Sequence, residues 1–528
     1  MAPKGASGDC DRNGGTTMDR RNFFAGLAGL SGLAWTGAPL RAKGTMNVAM
    51  DNMSGMAKMP AMNGMDAPAQ RLAATDAISI GGALQPPRVL QNEISGTGKF
   101  KATLVAAPAR VSLVPGQTTE IWSYNGSFPG PLIELTAGDE VEINLHNRLP
   151  QATTIHWHGL PVPADQDGNP SDAVPAGGSR VYRFTLPTDI SGLYWYHPHP
   201  HKQSAEQVYR GLAGPILVRT KDDPLAALPE RVLAITDLRL TADGAIPAND
   251  TMDWMNGREG QFVLVNGQHR PKLVFDANGQ ERWRILNATN ARYLRLQLPG
   301  HSLALVGTDG GPLERAQIGL REILVAPAQR VDVVVHATGQ RSMSPSPLLA
   351  APYNRGKMGG AAEDAPVQLL DVIFSTTRAP SPPTLPPVLR SWPQWPAAAV
   401  QKRVVMSESM SIAKGQQGMQ FLLNGKSFDM ARVDLISEMD VTEEWTIVND
   451  SDMDHPFHIH GTQFLVVERE IGGQIRKETF RALYDTVNLK SQETVRIKIV
   501  QTMKGIRMFH CHLLEHEDLG MMGRLNVI

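Results

Sequence analysis

Residues 509–522 constrain this chain more than any other part of its sequence. They contain one cysteine, three histidines and two methionines within fourteen residues. Residues 505–508, just before them, indicate the start of a β-strand, in which neighbouring side chains point to opposite faces. Cys511 would then face one way, and its neighbours His510 and His512 would face the other. We therefore predict two metal-binding faces that are joined by short covalent paths.

The cysteine face carries the ligands of a single copper ion. His516 follows Cys511 by five residues, and Met521 follows after another five. One cysteine, neutral histidine and a weak thioether form a blue-copper electron-transfer set, which needs a second histidine. His455 can supply it, because it stands three residues before His458 and so faces the opposite side of that strand.

Four His-x-His pairs are the second metal-binding feature of the chain. The two rings of each pair share one strand face, and the pairs are His156/His158, His197/His199, His458/His460 and His510/His512. A single pair of this kind is more often a solvated surface strand than a metal site. Four pairs beside a Cys-His-Met set favour a metal cluster instead. Imidazole binds copper, zinc, iron and nickel alike, so the Cys511 site is what selects copper.

An internal repeat indicates the architecture. Residues 138–147, 279–287 and 442–449 share a pattern that ends in asparagine. Nine and eleven residues after each asparagine stand, in chain order, His156 and His158, Leu296 and Leu298, and His458 and His460. The sequence therefore predicts three related all-β units, of which the middle one has lost its ligands.

Length and charge agree with this reading. A chain of 528 residues is too long for one ordinary domain and indicates about three. Its 49 glycines and 38 prolines favour short strands and turns. The net charge of −1 gives no reason to expect a nucleic acid or an anionic membrane surface as a partner. We place domains at 95–220, 221–376 and 397–528, with a proline-rich linker at 377–396, and we expect a monomer.

The first part of the chain is expected to lie outside the folded domains. Arg20 and Arg21 precede a short apolar segment, a pattern typical of a twin-arginine export signal, which we assign to residues 1–45. The apolar segment is too short to span a bilayer, so we predict a periplasmic protein without a membrane span. Residues 46–94 begin with seven methionines at spacings of three to four. We interpret them as a flexible segment that binds soft metals, with a bland low-complexity linker as the alternative.

Together these motifs resemble the multicopper oxidase family, and the similarity runs from about residue 95 to the end of the chain. The run His510-Cys-His-Leu-Leu-Glu-His-Glu-Asp518 and the run His455-Pro-Phe-His-Ile-His-Gly-Thr-Gln-Phe464 are most similar to the periplasmic copper-efflux oxidases, close to the bacterial laccases. The resemblance implies three consecutive cupredoxin-like β-sandwich domains. It also implies four copper ions, namely one type 1 ion at Cys511, one type 2 ion and a type 3 pair.

The resemblance also assigns roles to single residues. It gives His156 and His458 to the type 2 ion, and it divides the type 3 pair between His158, His197 and His512 on one ion and His199, His460 and His510 on the other. It implies that Asp167 and Glu517 relay protons. Beside the resemblance, we expect Asp518, two residues after His516, to orient the His516 ring as a hydrogen-bond acceptor. The alternative for Asp167 is a structural one, because Asp-Gly is a good turn pair.

The expected reaction couples one-electron oxidation of a reductant to four-electron reduction of O2 to water. We favour Cu(I) as the reductant, because Met453 and Asp452 stand just before His455 and soft sulfur suits Cu(I). The expected biological role is then copper tolerance. A laccase-like phenol oxidase is the alternative enzyme. A periplasmic copper-binding or storage protein is the non-enzymatic alternative, and a cell-division homologue without copper ligands is disfavoured because the ligands are present.

Overall fold

Strands that alternate buried and exposed side chains form most of this protein. The computed structural model describes residues 70–337, 345–359, 365–378, 384–392, 394–413 and 416–528. In the strand Glu140–Asn147, Val141, Ile143 and Leu145 are buried, while the residues between them are partly exposed. A period of two places one face of such a strand on a core.

The first domain is a sandwich of two sheets. Its elements are β1 Lys99–Val111, β2 Thr119–Tyr124, β3 Ile133–Thr136, β4 Glu140–Asn147, β5 Ser179–Thr185, β6 Gly192–Tyr196, α1 Ser204–Tyr209 and β7 Gly214–Arg219. The sheets run β2-β1-β4-β5 and β3-β7-β6. Both contribute to one apolar core, which contains Trp157, Tyr182 and Tyr196.

The second domain has two larger sheets. Its elements are β8 Glu230–Leu238, α2 Thr251–Asn256, β9 Phe262–Val265, β10 Gln268–His269, β11 Lys272–Ala277, β12 Gln280–Asn287, β13 Leu294–Gln297, β14 Leu303–Thr308, β15 Gly311–Leu320, β16 Ile323–Val325, β17 Arg330–His336, β18 Ser346–Ala351 and β19 Val367–Arg378. The sheets run β10-β9-β8-β12-β17-β14-β15 and β11-β19-β18-β13-β16. Leu296 and Leu298, which stand at the ligand positions of the repeat, are buried in the core between them.

The third domain repeats the plan. Its elements are β20 Val400–Ala413, β21 Gln416–Leu423, β22 Leu435–Ser437, β23 Thr442–Asp450, β24 His455–Ile459, β25 Phe464–Ile471, β26 Gln474–Lys477, β27 Leu483–Tyr484, β28 Thr486–Leu489, β29 Glu493–Val500, β30 Gly505–Cys511, α3 Leu514–Asp518 and β31 Met522–Val527. The sheets run β21-β20-β23-β29-β25-β26, with β27 also on β25, and β22-β31-β30-β24-β28. The prediction of an all-β fold of three sandwiches is confirmed.

The asparagine of the repeat has a structural role in all three domains. It lies at or near the end of β4, β12 and β23, each of which pairs in parallel with the first long strand of its domain. The amide of Asn449 donates to the backbone carbonyls of Met453 and Leu489, and Asn147 and Asn287 bond the equivalent loops in the same way. In the first and third domains that loop leads to a His-x-His pair, so the asparagine helps to fix where the histidines begin.

A separate apolar cluster joins the domains. It contains Leu193 of the first domain, Ala328 of the second and Leu514 of the third. Helix α1 also contacts α3. The first and third domains therefore meet, and side chains from both can line one site.

Residues 70–94 lie along the first two domains. Val89 forms a bridge with Leu132 of the first domain, and Ala83 forms one with Lys272 of the second. Residues 46–94 were predicted to be flexible, and for residues 70–94 that prediction is wrong, because they pair with both domains.

Some sequence predictions fall outside the described residues. They include the twin-arginine signal of 1–45, the seven closely spaced methionines, and positions 379–383 and 393 of the predicted linker. Strand β19 continues to Arg378, just inside that linker. Within the described ranges, no helix has both the length and the apolar character needed to cross a bilayer.

Candidate metal centre

Eight histidines form one group between the first and third domains, which we call the histidine cluster. Its members are all buried, and they are His156, His158, His197, His199, His458, His460, His510 and His512. A bridge between His156 and His197 brings the two pairs of the first domain side by side. In the third domain, β24 and β30 are antiparallel and place His458 opposite His510. The pairs of the third domain lie in or directly after β24 and β30, whereas those of the first domain lie outside its strands, which corrects the expectation that all four pairs stand on strand faces. The contact between the domains brings the four pairs together.

Oxygen atoms fix one ring nitrogen of several of these imidazoles. His197 Nδ1 and His510 Nδ1 each lie 3.0 Å from the carbonyl oxygen of the residue that follows. His458 Nδ1 lies 2.8 Å from the carbonyl oxygen of Asp485. A carbonyl oxygen only accepts, so Nδ1 carries the proton and Nε2 keeps its lone pair.

The free ring nitrogens converge. His510 Nε2 lies 3.2 Å from His199 Nε2 and 3.1 Å from His460 Nε2. His156 Nε2 lies 3.4 Å from His458 Nε2. Metal–imidazole bonds of about 2.0–2.1 Å around a tetrahedral ion put ligand nitrogens roughly 3.3 Å apart. Facing lone pairs at these distances repel one another unless a cation lies between them, so the donor set fits bound metal ions.

These contacts divide the histidine cluster into smaller sets. His199, His460 and His510 have ligand atoms within 4.8 Å of one another, as do His156, His158 and His197. The His512 ring lies 5.1 Å from that of His158 and 5.4 Å from that of His197. A ligand atom of His156 also lies within 4.8 Å of ligand atoms of His458 and His460, so the sets overlap, and the division of the histidines between ions stays a prediction.

Burial favours the neutral form of seven of these imidazoles and of His455 and His516. Desolvation lowers the pKa of His158, His197, His199, His455, His458, His460, His510, His512 and His516. For His455 and His510 the pKa falls to about 3. Neutral imidazole is the form that binds metals, so these rings accept a cation without first losing a proton.

Cys511 lies in a second group, the cysteine site, which also contains His455 and His516. His455 Nδ1 lies 3.3 Å from Cys511 Sγ and 3.4 Å from His516 Nδ1. The outer nitrogens are fixed in turn, since His455 Nε2 lies 2.9 Å from Ser451 Oγ and His516 Nε2 lies 3.2 Å from the Met255 carbonyl oxygen. Burial raises the pKa of the Cys511 thiol. A thiolate at this position therefore needs a bound cation.

Met521 lies in the same apolar core as Cys511. Its carbonyl oxygen accepts a hydrogen bond from the Cys511 amide at 3.0 Å, and its own amide donates to the His516 carbonyl oxygen at 2.9 Å. Met522 instead pairs with His510 across β31 and β30. The loop after α3 thus returns Met521 to the cysteine site.

Asp167 contacts the histidine cluster from the end of a short 3-10 turn, Ala164–Gln166. Its Oδ1 atom lies 2.9 Å from His156 Nδ1, and its Oδ2 atom lies 3.3 Å from His460 Nδ1. Gly168 follows with a φ of +67°, where an added side-chain carbon would collide with backbone atoms. Asp167 therefore forms the turn that the Asp-Gly pair indicates and also contacts two histidines of the cluster.

Glu517 is a second buried carboxyl group at the histidine cluster. Its Oε1 atom lies 3.5 Å from His199 Nε2, and its Oε2 atom lies 3.2 Å from His510 Nδ1. Burial, and then the neighbouring Asp518, raises the pKa of Glu517 well above its ordinary value. This environment favours the protonated form, which can donate.

Asp518 does not orient His516, and that expectation is wrong. Its carboxylate accepts hydrogen bonds from the backbone amides of Ser204 at 3.1 Å and Ala205 at 3.0 Å, at the start of α1. The Met255 carbonyl oxygen fixes the His516 ring instead. Neighbours in sequence point to different sides of the short helix α3, which adjacency alone does not reveal.

Asp485 is a residue of the centre that the sequence analysis missed. It stands just before β28, and its Oδ1 atom lies 3.0 Å from His158 Nε2. The His158 ring stacks on that of His458 with centroids 3.8 Å apart, so the carboxylate sits beside a contact between the first and third domains. The only sequence signal is an acidic residue directly before a buried strand, which is common and does not point to a metal centre.

Met453 and Asp452 do not form a surface pair. Met453 is fully buried in the core of the third domain, whereas Asp452 is exposed. Consecutive residues of this loop point in opposite directions. Burial closes the Met453 side chain to an ion that arrives from solvent, which counts against its prediction as a ligand of substrate Cu(I).

Helix α2 of the second domain covers His516. The carbonyl oxygen of Met255 lies 3.2 Å from His516 Nε2. Phe421 stacks on the same ring with centroids 3.7 Å apart. His516 is fully buried, so a reductant cannot touch its ring unless the groups packed around it, α2 and Phe421 among them, move.

Three methionines of the second domain lie around this cover, and we call them the methionine group: Met252, Met255 and Met358. The Asn256 side chain joins the two segments, since it accepts from the Met358 amide at 2.6 Å and donates to the Met358 carbonyl oxygen at 3.4 Å. The Met252 methyl group lies against Gly359. Met252 is exposed, and the other two members are half-buried.

Comparisons with known proteins agree on one family. Multicopper oxidase family models match residues 106–223, 238–343 and 401–528. The multicopper oxidase mco of Staphylococcus aureus is 32% identical over 453 residues, which cover 84% of this chain and 91% of that protein.

Solved structures give the same result. A multicopper oxidase from Campylobacter jejuni, called a metallo-oxidase, has a TM-score of 0.82 and 42% identity, covering 87% of this chain and 98% of its own. A laccase from Pediococcus acidilactici has a TM-score of 0.75 and 30% identity, covering 86% and 95%. The relatives therefore include one named a metallo-oxidase and one named a laccase.

Proposed function

This chain belongs to the multicopper oxidase family, and on that premise we propose that it oxidises Cu(I) and reduces O2 to water. Family membership makes it a copper-binding oxidoreductase with three cupredoxin-like domains. The choice of reductant does not follow from membership, because both metallo-oxidases and laccases are similar to this chain. The main observation in favour of Cu(I) is that helix α2 covers His516.

The two sets of candidate ligands support two separate copper sites. We propose that the cysteine site and Met521 hold a type 1 ion, and that the histidine cluster holds a type 2 ion and a type 3 pair. When bound, these ions supply one-electron acceptance at the cysteine site and four-electron reduction of O2 at the histidine cluster. Cys511 stands between His510 and His512, so the chain itself joins the two sites covalently. Asp167 and Glu517 stand beside the histidine cluster, where they can donate the protons that water formation consumes.

The covered His516 favours a small metal ion over a phenol. A phenol would have to displace α2 to reach the ring, since the Met255 carbonyl oxygen lies 3.2 Å from His516 Nε2. A metal ion on the methionine group needs no such movement. Met255 belongs to that group, and its carbonyl oxygen contacts His516 Nε2. Electron transfer from the ion to the cysteine site can therefore pass through Met255.

The chemistry of the methionine group supports the same choice. Thioethers are soft, uncharged ligands, so they bind Cu(I) without losing a proton and release its oxidised form readily. Met252 is 43% exposed, which leaves the group open to an ion from solvent. The second domain thereby offers the sulfur ligands that Met453 cannot.

Oxygen uptake with Cu(I) and with a substituted phenol tests this proposal. We expect the protein to use Cu(I) with the higher kcat/KM. Replacing both Met252 and Met358 with leucine should raise the KM for Cu(I) about tenfold, as a loss of ~1.4 kcal/mol of binding would. The same change should leave phenol oxidation unaltered or faster. Met430→Leu is the matched control, because Met430 is similarly exposed at 47% but belongs to the third domain.

Other outcomes identify the alternatives. A higher kcat/KM for the phenol, with no effect of the methionine changes, would indicate a laccase-like enzyme. Tight copper binding without oxygen uptake on either reductant would indicate a storage protein.

Replacement of Met521 by leucine is expected to raise the redox potential of the cysteine site while its visible absorption remains. The weak axial thioether stabilises Cu(II), and leucine offers no donor, whereas the Cys511 thiolate that causes the absorption is untouched. Redox titration followed at the visible band measures the change. Met522→Leu is the matched control. If it alone moves the potential, the axial assignment belongs to Met522.

A further inference from the structure

Arg330, at the start of β17 in the second domain, is buried among three domains. Its Nε atom donates to the Leu193 carbonyl oxygen of the first domain at 3.0 Å. Nη1 and Nη2 donate to the carbonyl oxygens of Ala328 and Asp309, each at 3.1 Å. The same two nitrogens hold the carboxylate of Asp485 in the third domain, at 2.9 and 2.5 Å. One guanidinium group, with every nitrogen bonded, thus ties the three domains together.

The side chain of Asp309 also binds the third domain, through the backbone amides of Asp485 and Thr486. Its Oδ1 atom accepts from the Arg330 amide at 2.7 Å. Its Oδ2 atom accepts from the amides of Asp485 and Thr486, both at 3.3 Å. Two residues of the second domain therefore fix Asp485: Asp309 binds its backbone amide, and Arg330 binds its carboxylate.

The fixed carboxylate of Asp485 points at a histidine of the cluster. Its Oδ1 atom lies 3.0 Å from His158 Nε2. A carboxylate beside Nε2 keeps the proton there and leaves the Nδ1 lone pair free, as is usual for carboxylate–histidine–metal chains. His158 Nδ1 lies 3.4 Å from His197 Nε2, among the other ligand atoms.

The glycine that follows His158 allows this approach. An added side-chain carbon at Gly159 would lie 2.3 Å from Asp485 Oδ2 and 2.6 Å from Arg330 Nη2. The first domain therefore leaves room at this point for groups of the other two domains.

We propose that Arg330 is a positioning residue: it holds Asp485 so that His158 presents Nδ1 to the histidine cluster. The second domain has leucines at its own ligand positions, and through Arg330 it contributes to the copper centre without supplying a ligand. This inference rests on the proposed copper ions of the histidine cluster.

Two Arg330 variants and one matched control test the proposal in the full-length, copper-loaded protein. Arg330→Met removes every donor, whereas Arg330→Lys keeps the charge but loses the fork that grips both carboxylate oxygens. Arg282→Met is the control, because Arg282 is a buried arginine of the same domain whose guanidinium group bonds to Asp332 and Asp223 instead. Copper per chain, the visible absorption of the cysteine site and the type 2 electron paramagnetic resonance signal are measured.

We expect Arg330→Met to lose copper from the histidine cluster and to change the type 2 signal, while the visible absorption per chain remains. Arg330→Lys should give an intermediate result. Arg282→Met should lower the unfolding temperature without changing the ratio of cluster copper to visible absorption. Should Arg330→Met fail to fold, Asp485→Asn tests the same link, because it keeps the size of the side chain but weakens its acceptance from His158.

Two results separate failure of this inference from failure of the proposed function. An unchanged copper ratio and type 2 signal in Arg330→Met, or in Asp485→Asn, would overturn the positioning role. A native protein without copper in the histidine cluster would overturn the proposed function itself.

Discussion

Replacing Cys511 with serine is expected to abolish turnover and to remove the intense visible absorption of the oxidised protein. That absorption needs a thiolate bound to Cu(II), and a serine hydroxyl is a harder donor that does not produce it. Turnover should fall by more than about a hundredfold. Removing a residue that only hydrogen-bonds to a metal ligand already lowers metal affinity or activity by about 10- to 100-fold, and Cys511 is itself a proposed ligand. Absorption spectra and oxygen uptake measure both effects.

The same variant should keep the copper of the histidine cluster. Cys511 is not among the proposed ligands of that cluster, and the contacts of its histidines with the Pro198 carbonyl oxygen, Asp167 and Asp485 do not involve the sulfur atom. Metal analysis and the type 2 resonance signal check this. A serine variant that is still blue would show that Cys511 is not the ligand.

Asp167→Asn is expected to slow the reduction of O2 about a hundredfold, at the lower end of what a positioned general acid contributes. Asparagine has nearly the same shape and can keep the turn before Gly168, but it cannot carry and release the proton. Reduction of the cysteine site should keep its normal rate, because Asp167 contacts the histidine cluster and not Cys511. Stopped-flow absorption separates the two phases.

Asp165→Asn provides the matched control for this prediction. Asp165 belongs to the same short turn but is exposed to solvent. It should reduce O2 at the native rate. If Asp167→Asn is reoxidised as fast as the Asp165 variant, Asp167 is a turn residue and the protons come by another path.

The ligands of both sites could be predicted from sequence because each depends on local geometry. A period of two places His458 and His460 on one strand face and His455 on the other. The same rule separates Cys511 from His510. The structure brings these candidate ligands together in the histidine cluster and the cysteine site, and their roles as copper ligands stay a prediction.

The errors of the sequence analysis concern side chains whose direction depends on loops and short helices. Met453 was predicted as a ligand of substrate Cu(I), but it lies in a core, away from solvent. Asp518 was expected at His516, but it bonds to the start of α1. Neither segment has a periodicity that predicts which side a residue faces.

The sequence by itself determined the candidate copper ligands and the three related domains, since these follow from residue type and short spacing. Only the tertiary structure decided that Asp485 and Arg330 belong to the centre and that α2 covers His516. Arg330 is separated from Asp485 by 155 positions and Met255 from His516 by 261, and no short pattern links them. Such contacts exist only after the domains have docked, because the groups that meet lie on separately folded sandwiches.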